Sequence, residues 1–319
     1  MTYTQLLYLT AIDTHRHFGK AADQCFVTQP TLSMQIQKLE EELDVLVFDR
    51  SKKPVEPTEI GKRIIAQARV ALREMDKITE LVHHSRGVVA GEFKVGVIPT
   101  VASTLIPRIL PVFLRLFPDV ELIVEELQTE VIIDRLRKDL LDVAIAATPL
   151  GLQGIIEQPL YYEPFVAFIP ENHRLASESF VLNSELRLDD ILLLNQGHCF
   201  RNSVINLCES AFRDHSTENS RHIKLESGSF ETLIKLVKKG MGMTLIPYLT
   251  AEELSAEDKK LVKPFDYPKP TREISLLYSR AQLKINLVNA LAEVITDAVP
   301  DKMQKPESNH ILSPVRNER

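Results

Sequence analysis

Cys199 and Cys208, nine positions apart, are the residues of this chain whose type and spacing are best suited to chemistry. They stand in the run Gly197-His198-Cys199-Phe200-Arg201-Asn202-Ser203-Val204-Ile205-Asn206-Leu207-Cys208. Val204, Leu207, Cys208, Ala211 and Phe212 recur every three or four residues, which predicts a helix with one apolar stripe. At ~1.5 Å of rise per residue, its two cysteine Cα atoms stand roughly 13 Å apart. A disulfide tolerates no more than ~7 Å. The two thiols can therefore be bridged only if the helix unravels, and a bond made that way is a redox switch. Cys199 lies beside His198, two residues before Arg201, at the expected N-terminus of the helix. Positive charge and the helix dipole there favour the reactive thiolate. Cys208, on the apolar stripe, is sheltered, so the two form an attacking and resolving pair. A plainer reading stands beside this one: free cysteines pack as small apolar side chains, and these two are unrelated.

The elements that must position the pair belong to a chain of 319 residues, long enough for two or three domains. Composition is that of an ordinary globular protein, with 44% apolar and 26% charged residues. Three cysteines are too few and too odd a set for a disulfide-stapled fold. The start lacks a basic segment followed by an apolar one, and no apolar run reaches membrane-spanning length, so a cytoplasmic protein without membrane contact is expected. The net charge of −6 argues against nucleic-acid binding, but residues 1–86 hold 12 basic and 12 acidic residues, which leaves 26 and 32 beyond them. The deficit lies wholly in the later part. Any affinity for DNA must come from clustering on one face.

Residues 1–58 predict short helices near 4–14 and 19–25, with Leu6, Leu9 and Ile12 inward, and a third helix after Thr28. Thr28 suits an N-cap and Pro30 the first turn. Leu32, Ile36, Leu39 and Leu43 make the inner face of the third helix. Its other face offers Thr31, Ser33, Met34, Gln35 and Lys38. Two short helices with a tight turn and a polar second helix form a helix-turn-helix. Gln pairs bidentately with adenine, and Ser and Thr bond either base type. Arg50, Lys52 and Lys53 follow in a basic turn suited to phosphate, like the wing of a winged helix. Without this surrounding pattern, the same polar residues would be read as a solvated face.

Thr58 starts one long helix over 59–87, whose seam of Ile60, Ile64, Ala68, Ala71, Met75, Ile78 and Val82 is spaced like a coiled coil and implies dimerisation, the plainer alternative being packing on the chain's own C-terminal part. Gly87 to Gly91 act as a hinge. Strands then alternate with helices, and strands are expected at 92–98, 120–126, 142–147, 164–169, 191–194, 222–226, 243–246 and 273–279. The rhythm predicts an α/β fold with parallel strands and helices on both faces. Thr100 and Thr129 follow strands at the ends where ligands collect, and both suit helix N-caps. Residues 303–319 read as a flexible tail. Cys25 reads as core, His83 and His84 as solvated helix residues. No Cys/His grouping has zinc spacing, so neither metal nor cofactor is expected.

The block from Phe18-Gly19-Lys20-Ala21-Ala22 through Val27-Thr28-Gln29-Pro30-Thr31-Leu32-Ser33-Met34-Gln35, with Phe48-Asp49-Arg50 and Thr58-Glu59-Ile60-Gly61, resembles LysR-type transcriptional regulators over about residues 1–300. Gly197-His198-Cys199…Cys208 and Leu225-Glu226-Ser227-Gly228-Ser229-Phe230 are similar to the family's peroxide-sensing members. The resemblance implies a winged helix-turn-helix, a linker helix and a two-lobed regulatory domain like periplasmic binding proteins. That domain would span 92–302, with lobe I at about 92–163 and 268–302 and lobe II at about 164–267. It implies a peroxidatic Cys199 and a resolving Cys208 that form a reversible disulfide, and a peroxide pocket of Thr100, Thr129, His198 and Arg272. It implies DNA reading from Thr28 through Gln35, and as partners promoter DNA, hydrogen peroxide as signal, further copies of the chain as homodimer and homotetramer, and RNA polymerase. Met34 departs from the family's small or basic residue, so no operator sequence is carried over, and His222 receives no role. Two other readings remain: a LysR-type regulator of a small metabolite, and a thiol peroxidase or oxidoreductase. Against the last stand the missing Cys-x-x-Cys and a DNA-reading module for which a turnover enzyme has no use.

Overall fold

The computed structural model describes residues 1–85, 91–211, 227–280, 282, 284–306 and 310–316. Its contacts divide the chain into two units, Met1–Val88 and Val89–Arg319.

In the first unit, Thr2 caps α1 (Tyr3–His15) through a reciprocal pair of hydrogen bonds with Gln5. His17 caps α2 (Phe18–Gln24), its Nδ1 accepting from the amides of Gly19 and Lys20. Thr28 caps α3 (Gln29–Leu43), with proline in the first turn. Leu9, Ile12, Leu32, Ile36 and Leu39 close one apolar core over these three helices. Leu43, expected inward, is exposed because α3 ends there and Asp44 turns left-handed. The wing is β1 (Phe48–Asp49) antiparallel to β2 (Glu56–Pro57). Buried Glu40 fixes it to α3: its Oε1 accepts from the amides of Val47 and Phe48, and its Oε2 pairs with Arg50 at 2.8 Å.

Thr58 then caps α4 (Glu59–Ser85), accepting from the Gly61 amide at 3.0 Å. Gly61 cannot be larger, since a Cβ there would lie 2.1 Å from the Val47 carbonyl oxygen. Ile65 and Ala68 join the core of the first unit, while Ile60, Val70, Met75 and Ile78 are exposed. The side chains of Val82, His83 and His84 and the expected hinge at 87–90 fall outside the described residues.

The second unit runs β3 (Gly91–Val97), α5 (Pro99–Leu116), β4 (Val120–Glu126), α6 (Thr129–Arg137), β5 (Val143–Thr148), β6 (Ile155–Phe168), α7 (Cys199–Ala211), α8 (Phe230–Lys238), β7 (Thr244–Pro247), α9 (Tyr248–Glu252), β8 (Val262–Pro264), β9 (Thr271–Ser279) and α10 (Ile285–Ala298). The strands are ordered β4-β3-β5-β9-β6-β7, with β8 also on β6. Among the described strands β3 pairs in parallel with β4 and β5, and β9, β6, β7 and β8 add antiparallel strands. The expected parallel sheet is therefore mixed. Helical crossovers α5 and α6 follow β3 and β4, whereas β6 and β9 pair directly along their length. The first half of β6 escaped the sequence reading because Gln158 and Pro159 break its alternation, and three-residue β8 is too short to show one. The expected strand 191–194 is reduced to bridges Ile191–Met243 and Leu194–Ser227, and 222–226 lies outside the described residues.

The sheet carries two apolar cores. One gathers Phe93, Val97, Leu105, Ile145, Leu276 and Val288. The other gathers Phe165, Phe168, Val204, Leu207, Leu233 and Leu245. The segment expected as a free tail also departs from the reading. Met303 is buried, Ile311 bridges Thr271, and Leu312 enters the second core. Two adjacent apolar residues suffice to dock it, which composition alone does not show.

Phe26, in the turn before α3, combines a left-handed φ of 54° with 96% exposure. That conformation costs a bulky L-residue ~1–2 kcal/mol, and Asn tolerates it far better. Phe26→Asn should stabilise the chain by about 1 kcal/mol, read as a higher urea midpoint; a lower midpoint would contradict the strain assignment.

Candidate redox site and DNA-reading face

Cys199 opens α7 and points into the first core, whereas Phe200, Val204, Leu207 and Cys208 on the same helix belong to the second. Both thiols are buried and unbonded to one another. They therefore sit in two separate apolar environments at the ends of a continuous helix, roughly 13 Å apart by its rise. Gly197 lets the chain turn into this helix with a φ of 94°, and a Cβ there would meet the Gln128 side chain at 2.6 Å. Gln128 caps the start of α6 by position only, and the hydroxyl of its neighbour Thr129 acts on the Cys199 thiol in the direction that favours thiolate.

Burial is the dominant influence on Cys199 and pushes its thiol above the ordinary value. Arg272, the Thr129 hydroxyl and the first-turn amides of Phe200 and Cys199 oppose that rise. The charge expected from His198 and Arg201 comes from elsewhere. His198 is buried, and burial lowers its pKa, so near neutral pH it is an uncharged imidazole. Arg201 turns away and donates to the Leu194 carbonyl at 2.9 Å. Arg272 is the cation of the site, brought from β9 by folding alone.

Arg272 is itself almost wholly buried. Its Nε and Nη2 donate to Glu163 Oε2 at 3.0 and 2.7 Å, its Nη1 to the Thr100 hydroxyl at 3.0 Å, and its Nη2 also to the Thr100 carbonyl at 3.0 Å. The guanidinium carbon lies 5.4 Å from the centroid of the Phe200 ring. Glu163 Oε1 accepts from the Leu249 amide at 2.9 Å, so the carboxylate has partners on both oxygens. The sequence reading missed Glu163, which sits in the unpredicted part of β6 and carries no motif. It also missed Tyr161, whose buried hydroxyl has no partner among the described residues and whose pKa is raised by burial and then by Glu163.

Thr100 and Thr129 are not the N-caps expected; Ile98 and Gln128 hold those positions, without side-chain caps. Their hydroxyls lie instead at Arg272 and Cys199 respectively. Thr100 accepts from Arg272 and keeps its own proton to donate. The Thr129 hydroxyl is buried, with no hydrogen-bond partner among the described residues. Cys199, Thr100, Thr129 and Arg272 thus converge. His198 flanks them from the loop before α7, where a side chain at Gly228 would approach its Nε2 to 3.8 Å. Among the described residues no group of His, Cys, Asp and Glu could hold a metal ion.

In the first unit, Gln29, Pro30, Thr31, Met34 and Lys38 are exposed on α3, with Ser33 and Gln35 half-buried. Thr28 is exposed too, but its hydroxyl is engaged with Thr31 at 2.8 Å. Arg50 divides its guanidinium between Glu40 and Ser33 and stacks over Phe18 at 5.1 Å. Lys52 pairs with Glu56 at 2.5 Å, and Lys53 is exposed on the wing.

Residues 3–62 match the bacterial regulatory helix-turn-helix protein model of the lysR family, and residues 86–300 match the LysR substrate binding domain model. The chain belongs to the LysR family of DNA-binding transcription regulators. Within that family its kin are OxyR proteins: it is 35% identical over 304 residues, 95% of this chain and 96% of the other, to a hydrogen peroxide-inducible genes activator of Dickeya chrysanthemi. A full-length OxyR variant from Pseudomonas aeruginosa superimposes with a TM-score of 0.75 at 33% identity, covering 93% of this chain and 98% of that one. A mutant OxyR of Corynebacterium glutamicum with hydrogen peroxide bound gives a TM-score of 0.61 at 28% identity, covering 93% and 92%.

The balance of burial against Arg272 sets a measurable pH dependence. With Cys25 and Cys208 replaced by Ser, alkylation of Cys199 should keep rising with pH beyond the ordinary thiol value, because the raised pKa keeps the thiol protonated there. Removing the ion pair as Arg272→Met with Glu163→Gln avoids stranding a buried charge. Alkylation at neutral pH should then slow about tenfold, one pKa unit; an unchanged rate would show that the guanidinium does not act on the thiol.

Proposed function

We propose that this chain is a peroxide-sensing transcription factor whose switch is the Cys199–Cys208 pair. The observation that carries this reading is that one unbroken helix buries its two thiols in two different cores, the first beside a buried guanidinium and two hydroxyls. The Cys199 thiolate attacks one oxygen of hydrogen peroxide, the O–O bond breaks, and the other oxygen leaves as hydroxide. The sulfur is oxidised to sulfenic acid and the peroxide is reduced. Negative charge gathers on the leaving oxygen, where Thr100, Thr129 and Arg272 donate and His198 lines the approach. The thiol of Cys208 then attacks the sulfenic sulfur, forming the disulfide and releasing water.

The second step requires α7 to open. Exposing Phe200, Val204 and Leu207, all buried, costs on the order of 5–9 kcal/mol at ~1.5–3 kcal/mol for each side chain. The oxidised form therefore persists only if those groups are buried again, which a subunit interface supplies. That links the redox state to oligomer geometry, and through it to the register of the DNA-reading units on promoter DNA. A resolving thiol that must leave a core in every cycle suits a sensor, and no catalytic turnover is proposed.

The exposed Ile60, Val70, Met75 and Ile78 on α4 support a homodimer, and the family layout supports a homotetramer that contacts RNA polymerase. Gln29, Pro30, Thr31, Ser33, Met34, Gln35 and Lys38 read bases. Thr28 acts chiefly as the cap that presents them, and Arg50, Lys52 and Lys53 reach phosphate. No helix is long and apolar enough to cross a membrane among the described residues, and cytoplasmic action on DNA follows from the proposed role.

Stoichiometric peroxide should remove two free thiols from the reduced wild-type protein and none from Cys199→Ser. Cys208→Ser should stop at sulfenic acid, trapped by dimedone, and activate transcription poorly; full activation by that variant would overturn the switch. For DNA, Lys53→Ala should lower the slope of log affinity against log salt by about one, with base preference intact. Gln29→Ala should relax preference at one base pair at a cost of ~1–3 kcal/mol.

A further inference from the structure

The α7 face of Asn202, Ser203 and Asn206 is not left to solvent. Residues 310–316 return along it. Asn202 Nδ2 donates to the Pro314 carbonyl at 3.2 Å, and Ser203 Oγ to that of Ser313 at 3.1 Å. Asn206 Nδ2 donates to the carbonyls of Ser313 and Val315 at 3.2 and 2.8 Å. These three donors share one helical face by their spacing. The segment is anchored at its other end on β9: the Thr271 amide donates to the His310 carbonyl at 3.1 Å, and the Leu312 amide to that of Thr271 at 2.8 Å. Thr271 immediately precedes Arg272. Leu312 is buried in the core that also holds Cys208.

From this we infer that Asn202, Ser203 and Asn206 are positioning residues for the resolving step, and that 310–316 is a strap holding α7 closed until Cys199 is oxidised. Every acceptor on the strap is a backbone carbonyl, so the grip depends on the segment's path rather than on its side chains. Helix opening carries the three donors away from that path, so these bonds break before Cys208 can reach the sulfenic sulfur. Attack of Cys199 on peroxide needs no such movement. The strap therefore slows disulfide formation and leaves the first oxidation untouched. The inference rests on the disulfide reading proposed above.

The test separates the two steps in the full-length protein. The Cys199 sulfenylation rate is read with dimedone in a Cys208→Ser background, and disulfide formation by intact mass after rapid mixing with peroxide. A chain ending at residue 309, and separately Asn202→Ala with Asn206→Ala, should speed disulfide formation at least tenfold with an unchanged sulfenylation rate. Unchanged or slower disulfide formation, or equal acceleration of both steps, would overturn the inference; the point variants carry the test if the shortened chain does not fold. Hydrogen exchange of the α7 amides in reduced protein should also rise in these variants. That readout needs no disulfide. Protection lost while wild type forms no disulfide would sink the switch and keep the strap; protection unchanged would sink the strap.

Discussion

One helix has to satisfy two cores at once, and the rest of the regulatory unit is arranged around that requirement. Cys199 fills a place in the first core while Phe200, Val204, Leu207 and Cys208 fill places in the second. As long as α7 is intact, each thiol is a packing residue and the two cannot meet. The separation is enforced by backbone hydrogen bonds and by apolar burial together, so it ends only cooperatively. A disulfide linking these residues would replace one folded arrangement with another rather than decorate an existing one.

The same burial shapes the chemistry of the first thiol. Water exclusion penalises the thiolate, and the opposing cation is not a flexible surface lysine but an arginine locked by four hydrogen bonds. Glu163 makes that locking possible. A lone guanidinium at this depth would be prohibitively desolvated, whereas one paired on two nitrogens and stacked near Phe200 is not. The carboxylate also weakens the field that Arg272 exerts. The outcome is a thiol raised by its surroundings, beside hydroxyls able to receive a developing oxyanion.

The helices were legible in the sequence because their apolar periodicity and caps are local. Thr28 and Thr58 cap α3 and α4 where their hydroxyls face the next turn. The spacing of Cys199 and Cys208 was legible for the same reason, since helical rise fixes it. Strands β7, β9 and the second half of β6 were also legible, but their antiparallel pairing was not, because joining β6 to β9 brings together residues more than a hundred positions apart and leaves no short-range period. Reading charge from sequence neighbours misled at the site. His198 and Arg201 flank Cys199 in the chain, but burial neutralises the first and the Leu194 carbonyl takes the second. Glu163 was invisible because a single carboxylate in a strand carries no motif until Arg272 is brought to it.

The placement of Thr271 and Arg272 ties these parts together. Adjacent residues on a strand send their side chains to opposite faces while sharing one backbone. Here Arg272 spends its side chain on Thr100 and Glu163, while Thr271 spends its amide and carbonyl on His310 and Leu312. The guanidinium that opposes the rise of the Cys199 thiol and the segment bonded to α7 are therefore anchored on one short stretch of β9. Each is held by its own bonds: Arg272 keeps Thr100 and Glu163 through its side chain, while the carbonyls of residues 313–315 meet Ser203 and Asn206 on α7.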